Sequence, residues 1–162
     1  MGPIVIGEKL LDRFIMDVSH RFPRKTFGYF LSSVRFGGPV DYVIFDENHR
    51  DDWIAEFHGY GRYYVDHQDA GFLASPVETL RVERWIRDHG YVKVGVFHSH
   101  QRHPAILTSV DVDFHPSTDL WHVLIVLRNR AYPLVRGFEV TEERQVEELE
   151  VRVVPADGGD GR

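Results

Sequence analysis

Two histidines separated by one residue, with an aspartate further on, are the side chains of this sequence best suited to chemistry. His98 and His100 come at the end of the apolar run 91–97, and Asp111 lies eleven positions further on. Because a β-strand sends residues i and i+2 to the same face, the two imidazoles can converge on one point. Asp111 opens the next predicted element and brings a carboxylate back towards them. Together the three side chains form a candidate site for a divalent cation.

Each part of this pattern also has an explanation without a metal. Ten histidines among 162 residues predict about 0.6 His-x-His pairs by chance. Thr108 followed three residues later by Asp111 matches a helix capping box. The combination favours a metal site, because an apolar strand delivers the histidines and a helix start returns the acid after one short loop.

The types of ligand point to a catalytic zinc ion. Two histidines and a carboxylate with an open fourth position are typical of catalytic zinc sites, whereas structural zinc sites are closed and usually contain cysteine. The chain has no cysteine, which also excludes disulfides, thiol catalysis and zinc deaminase signatures built on a cysteine pair. We therefore expect Zn²⁺ bound by His98, His100 and Asp111.

The segment 97–115 resembles the motif of the JAMM (MPN+, or JAB) zinc metalloproteases. In that motif His-(Ser/Thr)-His is followed after seven residues by Ser, two more residues and Asp. Here the seven residues are Gln101 to Leu107, Thr108 stands at the Ser position and Asp111 is the aspartate. The stretch His103-Pro104-Ala105 is similar to small bacterial members that act on ubiquitin-like and sulfur-carrier proteins.

The resemblance implies both a fold and an activity. The fold would be α/β, with a mixed β-sheet flanked by helices in a cytidine-deaminase-like JAB/MPN architecture. The activity would be a zinc-dependent metallopeptidase or isopeptidase, cleaving at the C-terminal tail of a ubiquitin-like or sulfur-carrier protein. The Thr108 hydroxyl would donate to the oxyanion. Ser99 and the charge-flanked Trp53 are the residues we expect to bind substrate.

One departure from the family concerns the general base. The family has a glutamate in a pattern resembling Pro-x-Glu-x-x-Gly, and the corresponding stretch here, residues 23–28, has Lys25 at that position. The glutamate relays a proton from water to the leaving amine, which a protonated lysine cannot do. Zinc and desolvation would both lower the pKa of Lys25, so a neutral lysine is one candidate base. Two milder departures are Gln101 in place of Pro and Thr108 in place of Ser.

A second candidate base lies further along the chain. The Gly37-Gly38-Pro39 turn predicts a hairpin in which residues near 28 face residues near 47, so Glu47, or Asp46, would approach the same end of the sheet. Two other interpretations stay open: a catalytically impaired JAB/MPN pseudoenzyme that acts as a binding or scaffold module, and a lysine introduced to trap a complex.

Composition predicts one domain over residues 1–154 and a disordered tail over 155–162. With 43% hydrophobic and 13% aromatic residues, the chain can form a sizeable core. Nineteen basic against twenty-five acidic residues give a net charge of −6, which argues against nucleic-acid binding. No apolar stretch reaches membrane-spanning length and no apolar leader opens the chain. We expect a soluble cytoplasmic protein, and a homodimer is left open.

The predicted elements place the site between strands and helices. Apolar spacing predicts a helix over 10–22, ended by Pro23. Ser75, Pro76 and Glu78 predict the start of a second helix, which Gly90 closes. The predicted strands cover 26–34, 40–45, 91–97, 120–127 and 132–140, with a last strand or strand pair over 146–153 and a short helix over 109–115.

Residues 48–74 and the remaining histidines are harder to assign. The aromatic run Phe57, Tyr60, Tyr63 and Tyr64 could line a groove for an extended peptide, or could pack beside an edge strand over 62–66. His58, His67, His89 and His122 are interpreted as surface or packed side chains. His115 lies four residues after Asp111 on the same helical face, where it could form a hydrogen bond near the site, but we favour a packed, partly solvated role for it.

Overall fold

A computed structural model of the chain describes residues 1–49 and 71–156. Within these ranges the secondary-structure elements follow one another along the chain in this order: β1 (Ile4–Gly7), α1 (Glu8–His20), β2 (Phe27–Ser32), β3 (Asp41–Ile44), α2 (Pro76–Asp88), β4 (Val92–His100), α3 (Ser109–Asp113), β5 (Trp121–Val126), β6 (Leu134–Val140), β7 (Val146–Leu149) and β8 (Val151–Val154).

Six of the strands form one mixed sheet. Its strand order is β3-β2-β4-β5-β6-β7, and neighbouring strands are antiparallel except for the parallel pair β4 and β5. β1 and β8 form a separate parallel pair. A parallel pair needs a crossover connection, and the connection from β4 to β5 contains α3. The predicted fold class, α/β with a mixed sheet flanked by helices, is confirmed.

Helices cover both faces of the sheet at its β2 end. Phe14 of α1 contacts Phe30 and Phe97, with ring centroids 4.7 and 4.8 Å apart, so α1 covers the face formed by alternate residues of β2. Val82 and Ile86 of α2 belong to a second apolar cluster with Phe27, Leu31 and Phe45. Since successive residues of a strand alternate between faces, α1 and α2 lie on opposite sides of β2.

The second helix begins and ends as its sequence predicts. The Ser75 hydroxyl accepts a hydrogen bond from the Glu78 backbone N–H at 3.1 Å, and Pro76 occupies the first turn. After the helix, Gly90 has φ +70°, the left-handed conformation that glycine adopts without a Cβ penalty. Both ends of α2 are thus determined by residues next to them in the sequence.

The structure corrects one prediction about strands and extends two others. The predicted pairing of residues near 28 with residues near 47 is wrong, because Gly28 pairs with Ile44. The predicted strand 91–97 continues through His100, so both histidines lie within β4. The last strand pair divides between two sheets, since β7 pairs with β6 while β8 pairs with β1, a strand that the sequence pattern did not predict.

Several sequence predictions fall outside the described residues. They concern Trp53, the aromatic run 57–64 with its edge strand, His58, His67 and all but the first two residues of the predicted tail. In the part of the chain that the structure covers, no helix has the length and apolar character needed to cross a membrane.

Candidate metal centre

β4 delivers the two histidines to one face of the sheet. His98 and His100 are both fully buried, and their rings meet edge to face with centroids 4.8 Å apart. The intervening Ser99 points to the opposite face, where its hydroxyl accepts a hydrogen bond from the Thr26 N–H at 2.7 Å. This bond joins the end of β4 to the start of β2. The fully buried Ser99 side chain thus contributes to strand pairing, and the substrate-binding role expected for it stays a prediction.

Asp111 reaches the histidines from the first turn of α3. The helix begins with a reciprocal capping box: the Thr108 hydroxyl accepts from the Asp111 N–H at 3.1 Å, and Asp111 Oδ2 accepts from the Thr108 N–H at 2.9 Å. The same Oδ2 lies 3.2 Å from His98 Nε2 and 3.4 Å from His100 Nε2. The capping box and the metal site, which the sequence presented as alternatives, therefore use the same carboxylate.

The three facing atoms form a triangle of the size that a tetrahedral ion needs. His98 Nε2 and His100 Nε2 are 2.9 Å apart, and Asp111 Oδ2 closes the triangle at 3.2 and 3.4 Å. With zinc–ligand distances near 2.0–2.1 Å, the edge of a tetrahedron is about 3.3 Å. One atom from each of the three residues thus fits one face of the tetrahedron, which leaves a fourth position for a water molecule or a substrate.

The protonation states suit metal binding. Burial lowers the pKa of His98 to about 3, against the opposing effect of the Asp111 carboxylate. Burial alone would raise the pKa of Asp111, but His98, His100 and Lys25 together hold it well below its usual value. At neutral pH His98 is therefore neutral and Asp111 ionised, which are the forms that bind a metal ion.

Hydrogen bonding turns the unprotonated nitrogens towards the triangle. His100 Nδ1 lies 3.0 Å from the Pro104 carbonyl oxygen, which can only accept, so Nδ1 carries a hydrogen, and the tautomer with this hydrogen has a lone pair on Nε2. A carboxylate oxygen and an unprotonated Nε2 at such short range repel each other unless a cation lies between them. The residues present therefore fit a metal ion, and His98, His100 and Asp111 form a triad that can hold one.

Two further histidines, which the sequence did not assign to the site, continue from His98 into the protein. His98 Nδ1 lies 2.7 Å from Nε2 of the fully buried His122, and His122 Nδ1 lies 3.1 Å from His115 Nδ1. His115 Nε2 in turn lies 2.9 Å from the Leu120 carbonyl oxygen. Burial lowers the pKa of both His122 and His115, so both rings are neutral at pH 7. His115 thus forms a hydrogen bond near the site, with His122 as its partner, in addition to the packed role that the sequence favours.

Lys25 lies close enough to the triad to influence it electrostatically. Its positive charge lowers the pKa of both His98 and Asp111. The Lys25 Nζ is 5.6 Å from the centroid of the Phe72 ring, and that ring packs against His98 with centroids 4.9 Å apart. The lysine at the position of the family's glutamate thus lies on the triad's side of the sheet.

The alternative acids have other contacts. The Glu47 carboxylate lies 3.3 Å from His49 Nε2, and its side chain is 74% exposed, in contrast to the fully buried triad. The Asp46 carboxylate pairs with Arg81 at 2.9 Å. The backbone N–H groups of both residues donate instead to the buried carboxylate of Glu78, at 2.5 and 3.4 Å. Residues 46 and 47 are therefore bound to Arg81 and Glu78 of α2.

Comparison with known proteins gives a likeness of fold. No protein-family model and no curated protein matches the sequence. The structure is similar to that of protein DSY2949 from Desulfitobacterium hafniense, with a TM-score of 0.69 and 19% identity over 94% of this chain and 93% of the other. A protein from Salinibacter ruber gives a TM-score of 0.57 and 17% identity over 97% and 94% of the two chains.

A third solved structure connects the architecture with a described domain. The crystal structure of AF2198, a JAB1/MPN domain protein from Archaeoglobus fulgidus, matches with a TM-score of 0.52 and 14% identity over 95% of this chain and 99% of the other. The shared architecture is the JAB/MPN fold. At this identity the likeness concerns the fold alone, and the chemistry has to be argued from the buried triad.

Proposed function

We propose that this protein is a zinc-dependent metallopeptidase or isopeptidase of the JAMM type. The observation that supports this proposal most strongly is the buried triangle of His98 Nε2, His100 Nε2 and Asp111 Oδ2, whose sides measure 2.9 to 3.4 Å. Three lone-pair atoms buried side by side repel one another, which destabilises the core unless a cation binds between them. A protein that served only as a scaffold would therefore gain nothing from this arrangement. The chemistry of the donors favours zinc over calcium or magnesium, which prefer oxygen ligands.

The residues around the triad suit the hydrolysis of an acyl bond. A zinc ion bound there would polarise a substrate carbonyl and lower the pKa of water. Thr108 would stabilise the oxyanion: its oxygen accepts from the Asp111 N–H through a lone pair, which leaves its own hydrogen for donation. A contact of this kind contributes about 3 kcal/mol to the stability of a transition state. The capping box fixes Thr108 beside the ligand Asp111.

Proton transfer is the step on which the proposal and its alternative differ. Of the two candidate bases, Lys25 acts electrostatically on His98 and Asp111, whereas the Glu47 carboxylate is exposed beside His49. We therefore propose Lys25 as the group that exchanges protons at the site; it could accept a proton only after losing its own, a loss that a zinc ion bound nearby would favour. The alternative is a metal-binding module without hydrolysis, favoured by the positive charge of Lys25 where the family pattern has a glutamate.

The proposed substrate is the extended C-terminal tail of a ubiquitin-like or sulfur-carrier protein. This choice is supported by the resemblance of segment 97–115 to the JAMM motif and by the fold likeness to a JAB1/MPN domain. Such a tail is bound in an extended conformation, which suits strand addition next to the site.

The test compares zinc content and cleavage of a ubiquitin-like tail fusion in four proteins. They are the chain as given, Lys25→Glu, Asp111→Asn, and Arg24→Glu, which makes the same change of charge at the exposed neighbouring position. We expect one zinc ion per chain and cleavage in the parent and in Arg24→Glu, and loss of both in Asp111→Asn.

The Lys25→Glu variant separates the two candidate functions. Zinc in the parent with cleavage only in Lys25→Glu would overturn the proposed hydrolase and establish the binding module. If the parent and Lys25→Glu cleave at the same rate, the reaction does not depend on the charge at position 25, and the role given to Lys25 is refuted. Cleavage that survives in Asp111→Asn would exclude the triad as its source.

A further inference from the structure

We propose that His122 and His115 are positioning residues that fix the tautomer of His98 and so aim its Nε2 lone pair at the metal position. This pair, called here the histidine relay, joins the proposed ligand to the Leu120 backbone carbonyl through three consecutive contacts. Their lengths are 2.7 Å from His98 to His122, 3.1 Å from His122 to His115 and 2.9 Å from His115 to the carbonyl oxygen. The inference rests on the proposed metal site.

The direction of the hydrogen bonds follows from the carbonyl end. A carbonyl oxygen only accepts, so His115 Nε2 must carry a hydrogen, and in the neutral ring His115 Nδ1 is then an acceptor. The 3.1 Å contact therefore places a hydrogen on His122 Nδ1 and leaves His122 Nε2 as an acceptor. The 2.7 Å contact then places a hydrogen on His98 Nδ1. Each step fixes the next, and the result is an unprotonated His98 Nε2.

The second histidine of the triad obtains the same tautomer by a shorter route. His100 Nδ1 donates directly to the Pro104 carbonyl oxygen at 3.0 Å. Two backbone carbonyls, from separate loops, thus set the two imidazoles: Pro104 acts on His100 directly and Leu120 acts on His98 through the histidine relay. Metal-binding histidines commonly donate their second N–H to a carboxylate, a carbonyl or water. Here a pair of buried imidazoles takes that place for His98.

The strand register explains why the relay reaches His98. β4 and β5 are parallel, with Val96 opposite His122 and His98 opposite Leu124, so His122 and His98 are diagonal neighbours on one face. His115 precedes β5 in the connection from α3 and is buried beside His122. The Phe72 ring packs against both His98 and His122, at centroid distances of 4.9 and 6.1 Å. Packing and hydrogen bonding therefore restrict the same two rings.

Two measurements test the relay. The first uses the metal-free parent chain at pH 7.5 and reads the tautomer of each histidine from long-range ¹H–¹⁵N correlation spectra. We expect the hydrogen on Nδ1 in His98, His100 and His122, and on Nε2 in His115. The second measures zinc affinity by competition with a chromophoric chelator for the parent, His122→Phe, His122→Gln and the control His89→Phe, in which an exposed histidine directly after α2 is replaced.

The expected losses follow from the relay. His122→Phe removes the acceptor of His98 and should weaken zinc binding by about 10- to 100-fold, the range found for second partners of metal-binding histidines. His122→Gln can place a carbonyl oxygen near the position of His122 Nε2, so it should recover most of the affinity, and His89→Phe should bind like the parent. A purely structural role for His122 would leave zinc affinity unchanged in every variant that folds.

The outcomes separate the relay from the metal site itself. A hydrogen on His98 Nε2 in the metal-free parent would overturn the relay whether or not zinc binds, and this result requires no variant to fold. Zinc binding by His122→Phe within twofold of the parent would overturn it as well. Absence of zinc binding in the parent, together with the expected tautomers, would refute the proposed metalloenzyme while leaving the assigned hydrogen-bond direction intact.

Discussion

Replacing Gly28 by alanine should destabilise the protein far more than the same change at Gly137 in β6. Gly28 pairs with Ile44 of β3 and with Phe97 of β4. A Cβ at this position would lie 1.9 Å from the Val43 carbonyl oxygen and 2.9 Å from Phe97 Cζ. The nearer atom belongs to the backbone, so a side-chain rotation cannot relieve the clash. β3 would have to move by about 1.5 Å to restore ordinary van der Waals contact.

A displacement of this size costs both packing and strand pairing. Overpacking costs about 1–3 kcal/mol, and each hydrogen bond lost between β2 and β3 adds about 1 kcal/mol. We therefore expect Gly28→Ala to lower the free energy of unfolding by about 3–5 kcal/mol. For a chain of this size, that corresponds to a fall in melting temperature of about 6–20 °C.

The matched control is Gly137→Ala in β6. There the added Cβ would meet Ile4 Cδ1 at 2.5 Å and Val151 Cγ2 at 3.2 Å, and both are ends of side chains that can turn. We expect a loss of about 1 kcal/mol. Thermal and urea unfolding followed by circular dichroism measure both variants. Melting temperatures for Gly28→Ala within 2 °C of the parent, or equal to that of Gly137→Ala, would refute the close approach of β2 and β3.

Three further predictions concern the buried ionisable groups. Burial holds the pKa of His98 at about 3, while an unfolded imidazole binds a proton near pH 6.5. The metal-free protein should therefore lose stability as the pH falls from 6.5 towards 3. Urea midpoints that stay constant from pH 6.5 to 4.5 would contradict this. Burial and the hydrogen bond to Asp17 raise the pKa of Tyr42 to about 12, so the free energy of unfolding should also fall between pH 10 and 12. The Tyr42→Phe variant should be about 1 kcal/mol less stable at pH 7 and should not show this fall. Glu78→Gln weakens the hydrogen bonds from the backbone N–H groups of residues 46–47 and should lower the free energy of unfolding by about 1–3 kcal/mol. Zinc affinity should stay unchanged, and an altered affinity would show that the Glu78 carboxylate supports the triad.

Local patterns were sufficient to predict the elements that carry the triad. The alternation of a strand sets His98 and His100 on one face, and the capping residues around Thr108 determine where α3 begins and where Asp111 points. Both rules act over a few residues, so the spacing alone expresses them. The same is true of α2, where Ser75 and Gly90 mark both ends.

Features that depend on long-range pairing were not predictable in the same way. β1 is a four-residue strand whose partner lies near the other end of the chain, and nothing within the sequence 4–7 indicates that pairing. The relation of His122 to His98 follows from the register between β4 and β5, which two separate segments determine together. The error in the β2–β3 register arose because the turn was located but the number of residues on each side of it was not fixed.

Calorimetric titration of the metal-free chain with zinc tests the proposed metal site most directly. The geometry of the triad predicts binding of one ion per chain, and predicts that Asp111→Asn, which keeps the shape of the side chain but removes its charge, loses most of this binding. Heats indistinguishable from dilution in the parent, or equal affinity in the parent and in Asp111→Asn, would show that His98, His100 and Asp111 do not form a metal site.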